Sequence, residues 1–379
     1  MIIPYHSVGL KFEDLLPYPA SRIRPEMYRH LNLAEIMSPL MPGVHVLATP
    51  TGRHALWYYL NLKDYPKGSE VLMTGYNYYV VVRLVVQNGL VPVFVDIEED
   101  TLCMDPDDLD KKITGKSKLI LPTHMFGNPA NMKSILGIAD AHGLDLFEDC
   151  AHALGTYWEG KHVGQFGNGA LFSLGMAKIV SCLGGGLLTL PKPADSGYSP
   201  PRHEVGYLES AGDTLARFIV TLLSAPAIYE MILFPLIKFG YYLDERGHSG
   251  LRNILSPSKN NKAWYFDPDK RAEFKPFMLR MLANQVARIE TNVHRRRENV
   301  ARIKSGLADI ERIELLNEDK HGQANSSYFG FYTPDKNRLS RHLHAHKIDN
   351  NPQEYFDCSA LAQFSNFAAD CDRSRRASE

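Results

Sequence analysis

Three segments of the chain, in a fixed order, carry residue types from which a reactive site could be built. Residues 147–155 contain Asp149 at the end of a predicted strand, residues 167–178 contain Ser173 and end at Lys178, and Gly184–Gly186 follow. Lysines are usually solvated, so a lysine in an apolar, glycine-rich segment is unusual. Such an amine can form an imine with a carbonyl compound. The spacing therefore predicts covalent chemistry at Lys178, with a carboxylate from Asp149 nearby.

Pyridoxal phosphate (PLP) is a cofactor that needs these residue types. A lysine forms an imine with its aldehyde, and a carboxylate keeps its pyridine nitrogen protonated so that the ring can accept electrons. Lys178 and Asp149 can fill these two roles, and Ser173 can donate a hydrogen bond to the phosphate. The alternative for Asp149 is a helix cap after a strand.

Two further stretches supply candidates for holding the cofactor. Gly52 and Arg53 follow a predicted strand and open a predicted helix, and a helix N-terminus is a favourable place for a phosphate. Tyr78 follows the next strand and can stack on the cofactor ring. Its alternative is a place in the core, because tyrosines also stand at positions 76 and 79.

The elements that must position these residues alternate between strands and helices. Parallel strands covered by helices on both faces are expected from such alternation, and their ligands bind at the carboxyl ends of the strands. The predicted strands cover residues 44–48, 71–73, 91–97, 119–121 and 144–147, and the predicted helices cover 52–62, 79–88 and 131–142.

The second half of the chain is less regular. Residues 218–239 are strongly apolar but contain Pro226, Glu230 and Pro235. We interpret them as buried or dimer-interface helices, with a membrane-surface contact or a true span as alternatives. Residues 279–303 repeat apolar positions at helical spacing, which predicts one long amphipathic helix.

Composition excludes several classes of function. Lys plus Arg number 42 and Asp plus Glu 43, so charge gives no argument for binding nucleic acid. The five cysteines include no CxxC pair, and the first residues show no secretory pattern, so we expect a cytoplasmic protein without disulfides. The histidines at 124, 142, 152 and 162 lack metal-ligand spacing, so no metal site is predicted.

Four collinear motifs between about residues 44 and 190 resemble the DegT-type family of sugar-nucleotide aminotransferases. The family's Phe-Ser-Phe-x-x-x-Lys is similar to residues 172–178, and its Glu-Asp-x-Ala-Gln to residues 148–152. Its Pro-Val-Phe-Val-Asp-Ile matches residues 92–97, and its His-x-x-Gly-x-Pro-Ala-x-Met matches residues 124–132. The resemblance implies an α/β fold of the fold-type-I PLP-transferases, with a largely parallel sheet between helices and a smaller α+β C-terminal domain.

The resemblance also implies roles for individual residues. Lys178 would be the Schiff-base lysine and proton shuttle, and Asp149 would pair with the ring nitrogen. His152 would lie near the cofactor's ring oxygen, with a buried structural histidine as its alternative. His124 would either line the substrate pocket or have a structural role at the end of the sheet. The remaining cofactor contacts would come from Gly52, Arg53, Tyr78 and Ser173.

The expected organisation and function follow from the same resemblance. Residues 1–200 would form the PLP-binding domain, 201–260 an apolar helical insert, and 261–379 the smaller domain, which stops where the family adds a strand and helix. A homodimer would transfer an amino group from glutamate to a nucleotide-linked keto sugar, in the biosynthesis of surface polysaccharides, glycolipids or secondary metabolites.

Three alternatives remain open. The first is a membrane-surface enzyme acting on a lipid-linked sugar through residues 218–239. The second is a different chemistry on the same cofactor. The third is a non-catalytic binding or regulatory protein, because the family's Asn-x-Arg segment is not visible around residues 271–277.

Overall fold

The computed structural model describes residues 12–15, 31–175, 178–191, 231, 235, 274–346, 348, 355–367 and 369–378. The predicted insert at 201–260 therefore lies almost entirely outside the described residues, as does the apolar stretch at 218–239. The domain boundaries predicted near 200 and 260 lie outside them as well and stay predictions.

The described residues form ten α-helices and fourteen strands. The helices are α1 (Phe12–Leu15), α2 (Leu33–Met37), α3 (Gly52–Lys63), α4 (Tyr79–Gln87), α5 (Pro106–Lys112), α6 (Met132–His142), α7 (Pro276–Val286), α8 (Ile289–Leu307), α9 (Lys336–Ala345) and α10 (Asp372–Ser378). The strands are β1 (His45–Thr49), β2 (Glu70–Thr74), β3 (Tyr76–Asn77), β4 (Val91–Val95), β5 (Ser117–Leu121), β6 (Asp145–Asp149), β7 (Tyr157–Trp158), β8 (Lys161–His162), β9 (Gly169–Ser173), β10 (Gly186–Leu190), β11 (Glu314–Leu315), β12 (Gly322–Gln323), β13 (Phe331–Tyr332) and β14 (Phe356–Asp357).

Seven of these strands form the central sheet, in the order β1-β10-β9-β6-β5-β2-β4. The run β4-β2-β5-β6-β9 is parallel throughout, and β10 is antiparallel to both β9 and β1. The predicted largely parallel sheet between helices is confirmed. Each predicted strand and helix of the first half is present, with ends that differ by one or two residues.

The helix that follows β1 shows why this pattern can be read from the sequence. Thr51 is the N-cap of α3, and its side chain accepts a hydrogen bond from the backbone N of His54. Apolar residues then recur at one face, where Leu56, Tyr59 and Leu60 are buried. That face covers β9 and β10. The helix ends at Asp64, which has a left-handed backbone (φ 47°).

The prediction of one long helix over 279–303 is wrong. The structure has two helices, α7 and α8, with a break at Ala287 and Arg288. The backbone of Arg288 has φ −120° and ψ 11°, and its guanidinium donates to the carbonyl of Asn284 and to buried Asp14. These tertiary contacts redirect the chain even though the apolar spacing continues across the break.

The C-terminal half returns to the first half at several places. Strand β12 joins the β7–β8 hairpin, and β14 pairs with β3. Helix α10 packs on β3 and β14, near the β4 edge of the sheet. Residues 355–378 therefore lie against the large sheet. Among the helices of the described chain, none is long and apolar enough to cross a membrane.

Candidate active site

Lys178 lies in the loop that connects β9 to β10. The carbonyl of Leu174 anchors this loop by accepting from the backbone N of Cys182 (3.0 Å) and of Gly184 (3.2 Å). The backbone N of Lys178 donates to the carbonyl of Gly175 (3.1 Å), and the lysine side chain is partly exposed. The loop thus presents the amine next to the carboxyl end of the sheet, where α/β proteins bind ligands.

Asp149 is the last residue of β6 and is buried. Its Oδ1 accepts from the backbone N of Ala151 (3.0 Å). Burial raises the pKa of Asp149, while the Ala151 bond and the positive charge of Lys178 act against that rise. A cationic partner at Oδ2 would stabilise the ionised carboxylate.

His152 follows β6 and is buried between residues that are distant in sequence. The hydroxyl of Tyr355 lies 2.7 Å from its Nε2, while Nδ1 has no hydrogen-bond partner within the described chain. The carbonyl of His152 accepts from Nδ2 of Asn325 (2.7 Å) and Oγ of Ser327 (2.7 Å). Burial, and secondarily the charge of Lys178, hold the pKa of His152 well below its ordinary value, so the ring is neutral.

Aromatic rings surround His152. Phe126 is nearly parallel to it at 6.3 Å between centroids, and Tyr328 lies 5.0 Å away. Tyr78 lies at the start of α4, and its ring is 6.3 Å from that of Tyr355. At 37% exposure Tyr78 is not a core residue, which argues against that alternative. The predicted stacking of Tyr78 on the cofactor stays a prediction.

The candidate phosphate cradle lies where the N-terminus of α3 meets β9 and β10. Gly52 is the first residue of α3, and a Cβ built on it would lie 3.4 Å from the Cβ of Ser173. A Cβ on Gly186 would lie only 2.4 Å from the backbone N of Gly52. The N-terminus of α3 and the Ser173 side chain are therefore neighbours, as an anion site requires. Arg53 is partly exposed, and its charge reaches Tyr79, whose pKa burial raises.

His124 has contacts that favour its structural alternative over the substrate pocket. It is fully buried, its Nδ1 accepts from the backbone N of Ala130 (3.0 Å), and its Nε2 lies 3.1 Å from Oε2 of Glu148. Burial opposes ionisation of Glu148, but the hydrogen bonds that its carboxylate accepts outweigh this effect and lower its pKa. Cys150 lies close to both side chains, but the histidine nitrogens and the carboxylate oxygens already have partners. The other donors to Glu148 are the backbone N atoms of Gly164, Phe166 and Gly167.

Comparison with known proteins now adds to this geometry. The model of the DegT/DnrJ/EryC1/StrS aminotransferase family matches residues 32–197. The predicted DegT-type resemblance is confirmed. The family match also bears out the predicted class of enzyme, an aminotransferase. Lys178, Asp149 and His152 lie inside the matched stretch, whereas Tyr355 lies outside it.

Solved structures of similar fold extend the likeness to the whole chain. DesV of S. venezuelae, crystallised with a ketimine intermediate, is 22% identical, with a TM-score of 0.72 over 99% of this chain and 90% of that one. The sugar aminotransferase Spr1654 of Streptococcus pneumoniae, in its PLP form, is 18% identical (TM-score 0.71, 100% and 92%). DesI with its TDP-sugar product is 18% identical (TM-score 0.70, 100% and 86%). These likenesses establish the predicted fold-type-I architecture.

The residues of the site fit PLP on observations of this chain alone. The unpartnered Nδ1 of His152 can meet a polar group of the ligand, and the buried carboxyl group of Asp149 at the end of β6 can pair with a cation. The Gly52 cradle suits a phosphate. Sequence reasoning did not find Tyr355, Asn325 or Ser327, because none of them belongs to a motif or a periodic element.

Proposed function

We propose that this protein is a PLP-dependent aminotransferase that converts a nucleotide-linked keto sugar to an amino sugar, with glutamate as the amino donor. The observation that carries the proposal is the common environment of three residues. The charge of Lys178 acts on both Asp149 and His152, and all three lie in the stretch that matches the aminotransferase family. A charged side chain that shifts the pKa of two buried titratable groups is typical of a catalytic site.

Lys178 and Asp149 have complementary tasks in this proposal. When bound, PLP supplies an electron sink for a carbanion at the amino-bearing carbon of the substrate. The carboxylate of Asp149 holds a proton on the ring nitrogen, which relieves its own buried charge. Nζ of Lys178 would hold the cofactor and would move the proton from the amino-bearing carbon of the donor to the cofactor carbon that bears the nitrogen. Both half-reactions use one site, so ping-pong kinetics are expected.

The phosphate end of the site is expected to position the cofactor for these proton transfers. The N–H groups at the start of α3 and the hydroxyl of Ser173 would hold the phosphate, with Arg53 adding a positive charge nearby. Tyr78, at the start of α4, would fix the plane of the ring. These contacts would hold the cofactor so that its reacting carbon stays within reach of Nζ of Lys178.

The nature of the sugar is supported by similarity and not by contacts in this chain. DesI, a structural neighbour, was solved with a TDP-sugar product, and DesV and Spr1654 share the fold. We extend this substrate class to the present protein. Incubation with glutamate and a panel of nucleotide-linked keto sugars tests it, because mass spectrometry detects replacement of a carbonyl oxygen by an amino group.

The test of the central proposal is the visible spectrum of the protein purified with PLP. We expect an absorption band that is present in the wild type and in Lys161→Ala, a lysine of β8 that lies outside the site, and absent in Lys178→Ala. Glutamate should convert that band to the spectrum of the amine form of the cofactor. Both variants lose one lysine, so a difference between their spectra reports the role of Lys178.

Each other outcome has a distinct meaning. A Lys178-dependent band that glutamate leaves unchanged would keep the cofactor and replace the donor or the chemistry. A band that survives in Lys178→Ala would place the covalent bond elsewhere. The absence of any band in the folded wild type would overturn the proposal and favour a binding protein.

We also propose a homodimer in the cytoplasm. The resemblance to the family supports a site shared by two subunits, and the proposed cofactor, amino donor and nucleotide sugar are all cytoplasmic compounds. Light scattering of the holoenzyme tests the dimer. A monomer that is fully active would refute the shared site.

A further inference from the structure

Tyr355 makes the hydrogen bond that occupies one of the two ring nitrogens of His152. The distance from its hydroxyl oxygen to Nε2 is 2.7 Å, and both side chains are buried. Tyr328 and Phe126 touch the same imidazole only as rings, and His152 has no further hydrogen bond through its ring in the described chain. The hydroxyl of Tyr355 is therefore the group that can decide which nitrogen carries the proton.

The ring proton of His152 has two possible positions, Nδ1 and Nε2. A neutral imidazole has one N–H donor and one bare nitrogen acceptor, and the partner of one nitrogen fixes the role of the other. If Tyr355 donates its O–H to Nε2, the ring proton is on Nδ1. If Nε2 donates to Tyr355, Nδ1 is bare and can only accept.

The chemistry of the expected ligand selects between them. The ring oxygen of PLP carries negative charge and accepts hydrogen bonds. A bare Nδ1 is also an acceptor, so the two atoms could not form a hydrogen bond with each other. A buried donor without an acceptor, or an acceptor facing an acceptor, is costly. An Nδ1–H pointing to an anionic oxygen is instead a charge-assisted hydrogen bond.

We propose that Tyr355 is a positioning residue whose hydroxyl donates to Nε2 of His152 and so keeps the ring proton on Nδ1, the atom offered to the cofactor's ring oxygen. Tyr355 comes from the C-terminal part of the chain, and His152 from the family-matched segment. The proposal rests on the proposed function, because the expected ligand selects the tautomer, but the position of the proton can be measured in the protein without cofactor.

The first test is the tautomer of His152 in apoprotein labelled with ¹⁵N-histidine, with the signals assigned by their loss in His152→Gln. We expect a protonated Nδ1 and a bare, hydrogen-bonded Nε2 in the wild type. Tyr355→Phe should convert this to a mixture of tautomers, whereas Tyr328→Phe, which removes a hydroxyl from the same cluster, should not. A wild-type proton on Nε2 would overturn the proposal.

The second test uses the pH midpoint of the visible band in the holoenzyme. A donor at Nδ1 stabilises the ionised ring oxygen, so the cofactor holds its shared proton less tightly. Loss of that donor should raise the midpoint by about one pH unit, a tenfold change in proton affinity. Tyr355→Phe is expected to show this shift in the wild-type background.

A double-mutant cycle separates positioning from a general structural effect. His152→Gln replaces the imidazole by an amide, which offers a donor without any tautomer. In that background Tyr355→Phe should leave the midpoint unchanged. An equal shift in both backgrounds would refute action through His152. If no PLP binds, the proposed function fails, and the apoprotein tautomer still decides the position of the proton.

Discussion

Gly186 is the position at which a single methyl group should disturb the phosphate cradle most directly. It opens β10, beside the turn that leads from β1 into α3. In Gly186→Ala the added Cβ would lie 2.4 Å from the backbone N of Gly52 and 2.4 Å from the carbonyl carbon of Thr51. Both are backbone atoms, so no rotamer change can relieve the contact.

The size of the effect follows from these distances. Cβ contacts shorter than 3.0 Å essentially never occur, so β10 and the start of α3 must separate by at least about 0.6 Å. Overpacking of this kind costs about 1–3 kcal/mol of stability. Hydrogen bonds to charged groups contribute about 1.5–3 kcal/mol each. Loss of one such bond from Gly52 to the phosphate should weaken PLP binding about 10- to 100-fold.

The assay is titration of the apoprotein with PLP, together with thermal unfolding to show that the variant folds. Gly175→Ala is the matched control, because its Cβ would meet only Oγ of Ser173 at 3.6 Å, an ordinary contact. We expect near wild-type affinity for the control and the full loss for Gly186→Ala. A folded Gly186→Ala protein with wild-type affinity would show that the phosphate does not bind at the N-terminus of α3.

Two further predictions concern stability. Buried Asp96 accepts hydrogen bonds from the backbone N of Ser374 and of Arg373. These bonds outweigh the effect of burial and lower the pKa of Asp96. The stability that the ionised carboxylate contributes is therefore present above about pH 4 and is lost as the pH falls through its folded-state pKa. Asp96→Asn should lower the free energy of unfolding by about 1–3 kcal/mol at pH 7. In denaturant melts this difference from the wild type should shrink as the pH is lowered. A difference that stays constant with pH would contradict the role given to the Asp96 carboxylate. Arg288→Met breaks the ion pair with buried Asp14 and should cost about 3 kcal/mol. Arg296→Met removes a guanidinium group whose pKa is lowered by burial and whose hydrogen bond within the described chain is to a carbonyl oxygen at 3.4 Å. Urea melts of this variant should therefore show no loss of stability. Equal losses in Arg288→Met and Arg296→Met would refute this distinction.

The sheet could be predicted, and candidate site residues could be located at its edge, because both depend on local signals. Strands such as β4 and β6 are short apolar runs bounded by turns, and the residues that follow them lie at one edge of a parallel sheet. Lys178 and Asp149 were found in this way from their motifs. The residue types at Gly52 and Ser173 indicated a phosphate site, and the structure brings the two residues together.

The features that escaped prediction depend on contacts between distant parts of the chain. The break between α7 and α8 interrupts no apolar pattern, and it coincides with two buried contacts. Gln285 bonds the backbone N and carbonyl of Ser181, and Arg288 bonds Asp14. The composition of residues 276–307 does not predict these partners. The interpretation of His124 likewise needed the position of Glu148, because a histidine motif alone does not tell a pocket residue from a buried one.

The two ends of the candidate site are built by different parts of the chain, and this has a mechanistic consequence. The phosphate cradle is assembled from β9, β10 and α3, all within the family-matched segment. The imidazole of His152 is held by Tyr355, and its backbone by Asn325 and Ser327, which all come from the C-terminal half. Changes in that half should therefore alter the contact of His152 with the cofactor before they alter the phosphate cradle. The C-terminal half thus contacts the site at which we propose that Lys178 and Asp149 act.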